Sequence, residues 1–221
     1  MSSSPLSATM KHYTYFRSSA AFRTRIALNL KGLKPEQVFV HLRKGEQGTE
    51  GYRAFNPQGL IPALVHYGRA IGQSLAIIEY LDEIVPEPPL LPADPLGRAY
   101  ARQLAYIVAC EIHPLGNMRV QNYLRDPLGH SDAELLAWSR HWIGLGLLAI
   151  ETLVSGAAQT GRFCHGDQPT LADICLIPQM GNARRAELDL TPYPNLLRIE
   201  QAAFELSAFT DAMPKNQPDA E

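Results

Sequence analysis

Five prolines fall between residues 86 and 95, at Pro86, Pro88, Pro89, Pro92 and Pro95, and no other feature limits the possible folds as much. Each fixes φ and removes a backbone donor, so neither a helix nor a central strand can run through the stretch. We place a linker at 86–95, with one domain at 10–85 and a second at 96–218. The hydrophobic patterns on its two sides have different periods.

The first half changes period repeatedly, as alternating strands and helices do. His12, Tyr13, Thr14, Tyr15 and Phe16 are β-formers and read as a strand. Residues 21–31 set Ile26, Leu28 and Leu30 among Arg and Ala and stop at Gly32, a helix with its usual terminator. Residues 37–41 read as a second strand, and the charged, glycine-bearing stretch 43–51 as a loop or short helix. Residues 62–65 and 70–71 flank a turn at 66–69, which predicts an antiparallel hairpin. Leu75, Ile78 and Leu81 then give 73–85 a helical spacing. The order is βαβ followed by ββα. Beyond the linker strand patterns nearly vanish, and long helices are predicted over 98–124 and 133–153. The fold class is therefore an α/β domain followed by an all-α domain.

Charge and cysteine usage narrow the function classes. Twenty Lys and Arg against 22 Asp and Glu leave a net charge of −2, so no basic field attracts nucleic acid or an anionic membrane. Cys110, Cys164 and Cys175 are odd in number and form no CxxC pair, which argues against a disulfide framework and for a reducing compartment. The Ser-rich opening, residues 1–9, lacks the basic end and apolar stretch of a secretory signal, and no apolar run approaches ~18 residues. A cytoplasmic location is expected. Glycines are too scattered for a nucleotide fingerprint and no His, Cys and carboxylate cluster has metal spacing, so neither nucleotide nor metal is expected.

Specific residue runs carry a family resemblance. Tyr15-Phe16-Arg17-Ser18-Ser19, with Arg23-Thr24-Arg25-Ile26-Ala27-Leu28 after it, resembles the signature of zeta-class glutathione transferases. Asn56-Pro57-Gln58-Gly59-Leu60-Ile61-Pro62-Ala63-Leu64 is similar to the superfamily segment that leads to a cis-proline. Gln73-Ser74-Leu75-Ala76-Ile77-Ile78-Glu79-Tyr80-Leu81 resembles its glutathione-binding helix start. In the second half Gly166-Asp167-Gln168-Pro169-Thr170-Leu171-Ala172-Asp173 is similar to the superfamily folding motif, and Asp189-Leu190-Thr191-Pro192-Tyr193-Pro194 looks zeta-like. His113-Pro114, Asn117 and Arg184-Arg185 resemble the bacterial maleylpyruvate and maleylacetoacetate isomerases. The resemblance covers residues 10–218. It implies a thioredoxin-like N-terminal domain, glutathione as cofactor, and a homodimer. Ala20 departs from the pattern, which usually has Cys there, and this excludes an enzyme thiol from covalent chemistry at that place.

The candidate site follows from helix-end chemistry and from this resemblance together. Unsatisfied N–H groups and about half a positive charge at a helix N-terminus stabilise an anion without a metal. Ser18 and Ser19 sit at such a start, where a hydroxyl can hold the glutathione thiolate and lower a thiol pKa that is otherwise ~8.5. Either serine can equally be a helix cap. Gln73 and Ser74 open a second helix that can take the γ-glutamyl carboxylate, although by composition alone they would be only a cap. The backbone of Ile61, before a cis Pro62, is expected to pair with the cysteinyl part like an added strand. His41 is a further candidate for a glutathione contact, with a structural hydrogen bond as the plainer reading. Arg17, beside the serines, and Arg185, from the helical domain, suit the two carboxylates of a diketo acid, since the guanidinium fork matches that geometry. Arg184 reads better as a solvated surface side chain or an ordinary ion pair. His113 and Asn117 lie four apart on one predicted helix and share a face, from which they can meet glutathione or substrate, although a histidine before a proline can equally be a structural hydrogen-bonder.

Other attractive features have plainer readings. Thr170 and Asp173 have capping-box spacing and belong to folding. Trp138 and Trp142, four apart on an apolar face, belong to the core. The resemblance implies glutathione-dependent cis–trans isomerisation of a maleyl β-diketo acid, a small anionic substrate. The alternatives are conjugation or dehalogenation of an electrophile by glutathione, and a non-catalytic glutathione-binding protein.

Overall fold

The computed structural model describes residues 9–221; most of the Ser-rich opening read above for targeting lies outside them. The chain forms two compact units. One comprises the residues up to Leu90 together with Leu206–Glu221, the other Leu91–Glu205.

The first unit is built on a four-stranded sheet of order β2-β1-β3-β4. Strand β1 is Met10–Thr14, β2 is Glu36–Phe39, β3 is Ala63–His66 and β4 is Arg69–Gly72. β2 runs parallel to β1, while β3 is antiparallel to both β1 and β4. Helix α1 (Ser19–Leu30) makes the parallel crossover, α2 (Glu50–Phe55) lies in the connection to β3, and α3 (Ser74–Ile84) follows the hairpin. This is the thioredoxin-like βαβ and ββα order expected. At the hairpin tip Tyr67 and Gly68 have φ of 47° and 74°, the two consecutive positive values of a type I′ turn, whose twist suits the flanking strands.

α1 packs against α3, and Ile26, Ala27, Ile77 and Leu81 are fully buried. Each large aliphatic side chain so placed contributes about 1.5–3 kcal/mol. Among the boundaries that differ from the sequence reading, two bear on the site. Tyr15 and Phe16 fall outside β1, because the Ser18 N–H donates to the Tyr15 carbonyl at 3.0 Å and turns the chain into α1. The helical unit also stops short of residue 218. Short helix α9 (Ser207–Thr210) packs on α1, Phe209 and Ala212 are buried, and Arg25 and Asn29 on α1 donate to the carbonyls of Ala212 and Ala208, each at 3.0 Å.

In the second unit, α4 (Pro95–Tyr106) passes into a π-helical turn at Ile107–Ile112, and α5 (Met118–Arg125), α6 (Asp132–Gly156), α7 (Leu171–Arg185) and α8 (Pro194–Phe204) follow. The single helix predicted over 98–124 is thus broken. Pro114 has no N–H to continue the ladder, and the chain restarts only at Met118, with Asn117 as the cap. Trp138 and Trp142 are not core residues. Both are half-buried and line a cleft of about 490 Å³ with Leu124, His130 and His141. The Trp138 indole N–H is drawn outward to the Leu115 carbonyl, 2.8 Å away, at the break after Pro114. Thr170 and Asp173 do form the predicted capping box. The fully buried Asp173 carboxylate also accepts the Cys164 N–H at 2.8 Å.

Candidate active site

The register places several chain ends together. Thr14 is opposite Phe39, Tyr13 opposite Ala63 and Ala63 opposite Gly72. The C-terminal ends of β1, β2 and β4 and the N-terminal end of β3 therefore lie along one edge of the sheet. From that edge emerge the turn 15–18, His41, Ile61 and the pair Gln73 and Ser74.

Ser18 is the N-cap of α1 and its Oγ accepts the Ala21 N–H at 3.1 Å. The capping reading of this serine is therefore realised, yet the bond uses only a lone pair, and the hydroxyl proton is left to donate. Ser19 is the first residue of α1 and is buried, as is the Ala20 methyl group beside it. Arg17 is exposed, and its guanidinium has no hydrogen bond or ion pair among the described residues. The backbone around it is held firmly. Buried Arg25 donates to Thr14 Oγ1 at 3.2 Å and to the carbonyls of Tyr15 and Phe16 at 3.3 and 3.1 Å. Burial lowers the Arg25 pKa to about 10, and the negative charge of Asp219 opposes that shift.

His41 has both ring nitrogens engaged within the chain. Nδ1 accepts the Lys44 N–H at 3.3 Å, and Nε2 lies 2.7 Å from Glu221 Oε1. The bond to His41 holds the Glu221 carboxyl below its ordinary pKa. Ile61 precedes a cis Pro62, and its side chain packs with Tyr15, Phe16 and Ala21. The carbonyl of Leu60 is fixed from the other side by Tyr52 Oη and Asn56 Nδ2, both at 2.7 Å.

Gln73 occupies the N-cap position of α3 with φ +66°, rare for a residue with a Cβ, and its side chain does not cap the helix. It donates instead to Gln58 Oε1 at 2.7 Å. Ser74 is thus the first helical residue rather than the cap. It is buried, and its Oγ accepts from Arg23 Nη1 at 3.3 Å. In contrast α1, α4, α5, α6 and α7 all carry side-chain caps.

The remaining predicted residues belong to the second unit. His113 ends the π-helical turn. Asn117 starts α5 and its Oδ1 accepts the Arg119 N–H at 3.0 Å, so the two do not share a helix face as expected. Arg184 forms a two-pronged ion pair with Glu200, which raises its pKa. Arg185 is exposed and bonds Asn182.

Three groups were not singled out from sequence: Arg23, Arg25 and Asp219. A signal for the arginines was present. Every residue from Ser19 to Leu28 is buried, so two arginines on that helix need partners inside the fold. Asp219 has no comparable signal, since its partner lies 203 residues away. Among the described residues, no group of three or more His, Cys, Asp or Glu is arranged to hold a metal, and no helix is long and apolar enough to cross a membrane.

Comparison with known proteins places this arrangement. Residues 17–84 match the family model for the glutathione S-transferase N-terminal domain. Maleylpyruvate isomerase of a Ralstonia species is 47% identical over 211 residues, spanning 96% of this chain and 100% of that protein. The holo structure of a maleylpyruvate isomerase, a bacterial zeta-class glutathione S-transferase, superposes with a TM-score of 0.94 at 47% identity, covering 96% of this chain and all of that one. The crystal structure of maleylacetoacetate isomerase from Methylobacterium extorquens AM1, with bound malonate and glutathione, has a TM-score of 0.93 at 43% identity over 96% of this chain and 99% of its own. The chain belongs to the zeta class of glutathione transferases, in the family of maleylpyruvate and maleylacetoacetate isomerases.

Proposed function

We propose that this protein is a glutathione-dependent cis–trans isomerase that converts a maleyl β-diketo acid, maleylpyruvate or maleylacetoacetate, to the fumaryl form in the breakdown of aromatic compounds. The observation that carries the reading is the near-full-length identity to maleylpyruvate isomerase, in a chain that keeps a capped α1 start with an unpaired arginine beside it.

The donor set at the sheet edge fits glutathione. The N-terminus of α3 lacks a side-chain cap and carries a hydroxyl oriented by Arg23. An uncapped helix start presents N–H groups to a carboxylate, so Ser74 and the Gln73–Ser74 backbone are assigned the γ-glutamyl end. The non-glycine positive φ at Gln73 is the kind of backbone strain that gathers at ligand sites. Ile61 is assigned the cysteinyl backbone, and His41, His113 and Asn117 are assigned supporting contacts. Bound glutathione supplies a thiolate that adds to the cis double bond, permits rotation about the resulting single bond, and is released unchanged.

The chain's own residues have three tasks. Ser18, with its oxygen tied to the Ala21 N–H, donates its proton to the sulfur and keeps it ionised, with Ser19 and the α1 N-terminus as the alternative donors. Lowering the thiol pKa by one unit requires about 1.4 kcal/mol, within reach of one charge-assisted hydrogen bond. Arg17 holds a substrate carboxylate next to the sulfur and balances charge that develops on the conjugated carbonyls, the electrostatic part of the rate enhancement. Arg185 is assigned the second carboxylate. No general base is required, because the net reaction moves no proton permanently.

A homodimer and a cytoplasmic location complete the proposal; the first rests on the family, the second on cysteine usage. The test of function is to offer maleylpyruvate and maleylacetoacetate with and without glutathione and follow loss of the cis-enol absorbance. Turnover that requires glutathione is expected. Its absence with both substrates would overturn the assignment.

A further inference from the structure

We infer that Asp219 is a positioning residue for the active site: by accepting the Phe16 N–H it clips the closing segment of the chain onto the turn that presents Arg17 and Ser18. The inference rests on the functional reading above only for what the turn presents. The clip itself is a matter of hydrogen bonding.

Phe16 lies just past the end of β1 and is buried, so its N–H has neither a ladder partner nor free access to water. Asp219 Oδ2 accepts it at 2.9 Å. A buried donor left without an acceptor is unfavourable, so this bond helps to fix the turn. The neighbouring carbonyls are held as well. Arg25 reaches the oxygens of Tyr15 and Phe16, and the Ser18 N–H also bonds the Tyr15 oxygen. Asp219 provides the charge opposite Arg25 in this buried setting. The residue next to Arg17 is therefore gripped at its amide by an acid and at its carbonyl by a base.

The competing interpretation is that Asp219 merely ties down the end of the segment. The contacts argue otherwise. Ala208 and Ala212 are already held by Asn29 and Arg25. Asn216 Nδ2 donates to the Thr210 carbonyl at 2.7 Å, and Gln217 Nε2 to the carbonyls of Asp211 and Met213 at 2.8 and 3.0 Å. The segment is thus anchored through residue 217 without Asp219. What Asp219 adds is a bond to the turn itself, from a position set by the fixed φ of Pro218.

The test compares Asp219→Ala and Asp219→Asn with the wild type in the full chain. Asparagine keeps an acceptor and alanine removes it. Asp219→Ala is expected to lower kcat for the diketo acid about tenfold or more, as small misplacements of catalytic groups do. It should also speed amide hydrogen exchange at Phe16 and lower the melting temperature by a few degrees at most. Asp219→Asn should keep kcat within about threefold of wild type and keep Phe16 protected. Normal kcat and normal Phe16 exchange in Asp219→Ala would overturn the proposal. So would a lowered melting temperature with unchanged activity per folded molecule, or an Asp219→Asn variant as impaired as Asp219→Ala. Should the wild type itself isomerise neither substrate, the functional reading fails separately, and the clip is decided by exchange at Phe16 alone.

Discussion

Arg23 on α1 donates through Nη1 to Oγ of Ser74 at the start of α3, 3.3 Å away, and both residues are buried. Because the Ser74 oxygen is the acceptor in this bond, its hydroxyl proton is directed elsewhere. That leaves a donor beside the uncapped N–H groups of α3, where a carboxylate would be received by hydroxyl and backbone together. Ser74→Ala is expected to weaken glutathione binding about tenfold, the value of one charge-assisted hydrogen bond, with kcat at saturating glutathione nearly unchanged. Calorimetric titration and steady-state kinetics separate the two. A fall in kcat at unaltered affinity would remove Ser74 from the carboxylate site.

Ser18 performs two functions that a single alanine substitution cannot separate. Its Oγ caps α1 through the Ala21 N–H, and loss of such a cap costs about 1 kcal/mol. Glycine caps almost as well as serine, at a penalty of only a few tenths of a kcal/mol, but offers no hydroxyl. Ser18→Gly should therefore melt close to wild type while its bound glutathione thiol titrates at higher pH and its kcat falls. An active Ser18→Gly enzyme with an unshifted thiolate absorbance would transfer the role to Ser19 or the backbone donors of α1.

Arg17 is exposed and has no partner among the described residues, so stability should hardly notice its removal. Surface changes of this kind usually lie within about 0.5 kcal/mol. Arg17→Ala is expected to cut kcat/KM for the diketo acid by about a hundredfold, the range for losing a charged contact to a developing anion, and to change glutathione affinity far less. Arg17→Lys should recover only part, since a single ammonium cannot form the guanidinium fork. Equal losses in turnover and in glutathione affinity would show that Arg17 serves the cofactor and not the substrate.

Local signals explain what could be read from the sequence. The strand–turn–helix start, the hairpin and the Thr170–Asp173 box each depend on residues within a few positions of one another, and each was found near its expected place. The misjudged features depend on distant partners or on a local competition. Tyr15 and Phe16 are good strand formers, yet the cap at Ser18 takes the backbone away from the sheet. His113 and Asn117 have helical spacing, yet Pro114 stands between them and the helix restarts afterwards. Residues 206–218 follow directly on the helical half in sequence, yet their affiliation is decided by Arg25 and Asn29 on α1. No window along the chain contains both sides of such a contact.

His12 supplies a pH-dependence that concerns stability and not catalysis. It sits in the middle of β1, fully buried, with Nε2 at 2.8 Å from Thr24 Oγ1 and Nδ1 at 3.1 Å from Gln37 Oε1. Burial is the main cause that lowers its pKa from 6.5 to about 4, with a contribution from the Arg25 charge and partial opposition from the bond to Gln37. The folded protein therefore holds His12 neutral while the unfolded chain protonates it below 6.5. Between those values the unfolded state binds more protons, so stability falls as pH drops from 6.5 towards 4 and is insensitive to His12 above that window. The full effect amounts to roughly 3 kcal/mol. Melting temperatures measured across this range should decline more steeply for wild type than for His12→Gln, which has no ring to charge. Parallel curves for the two proteins would mean that His12 becomes protonated as readily in the folded state as in the unfolded chain.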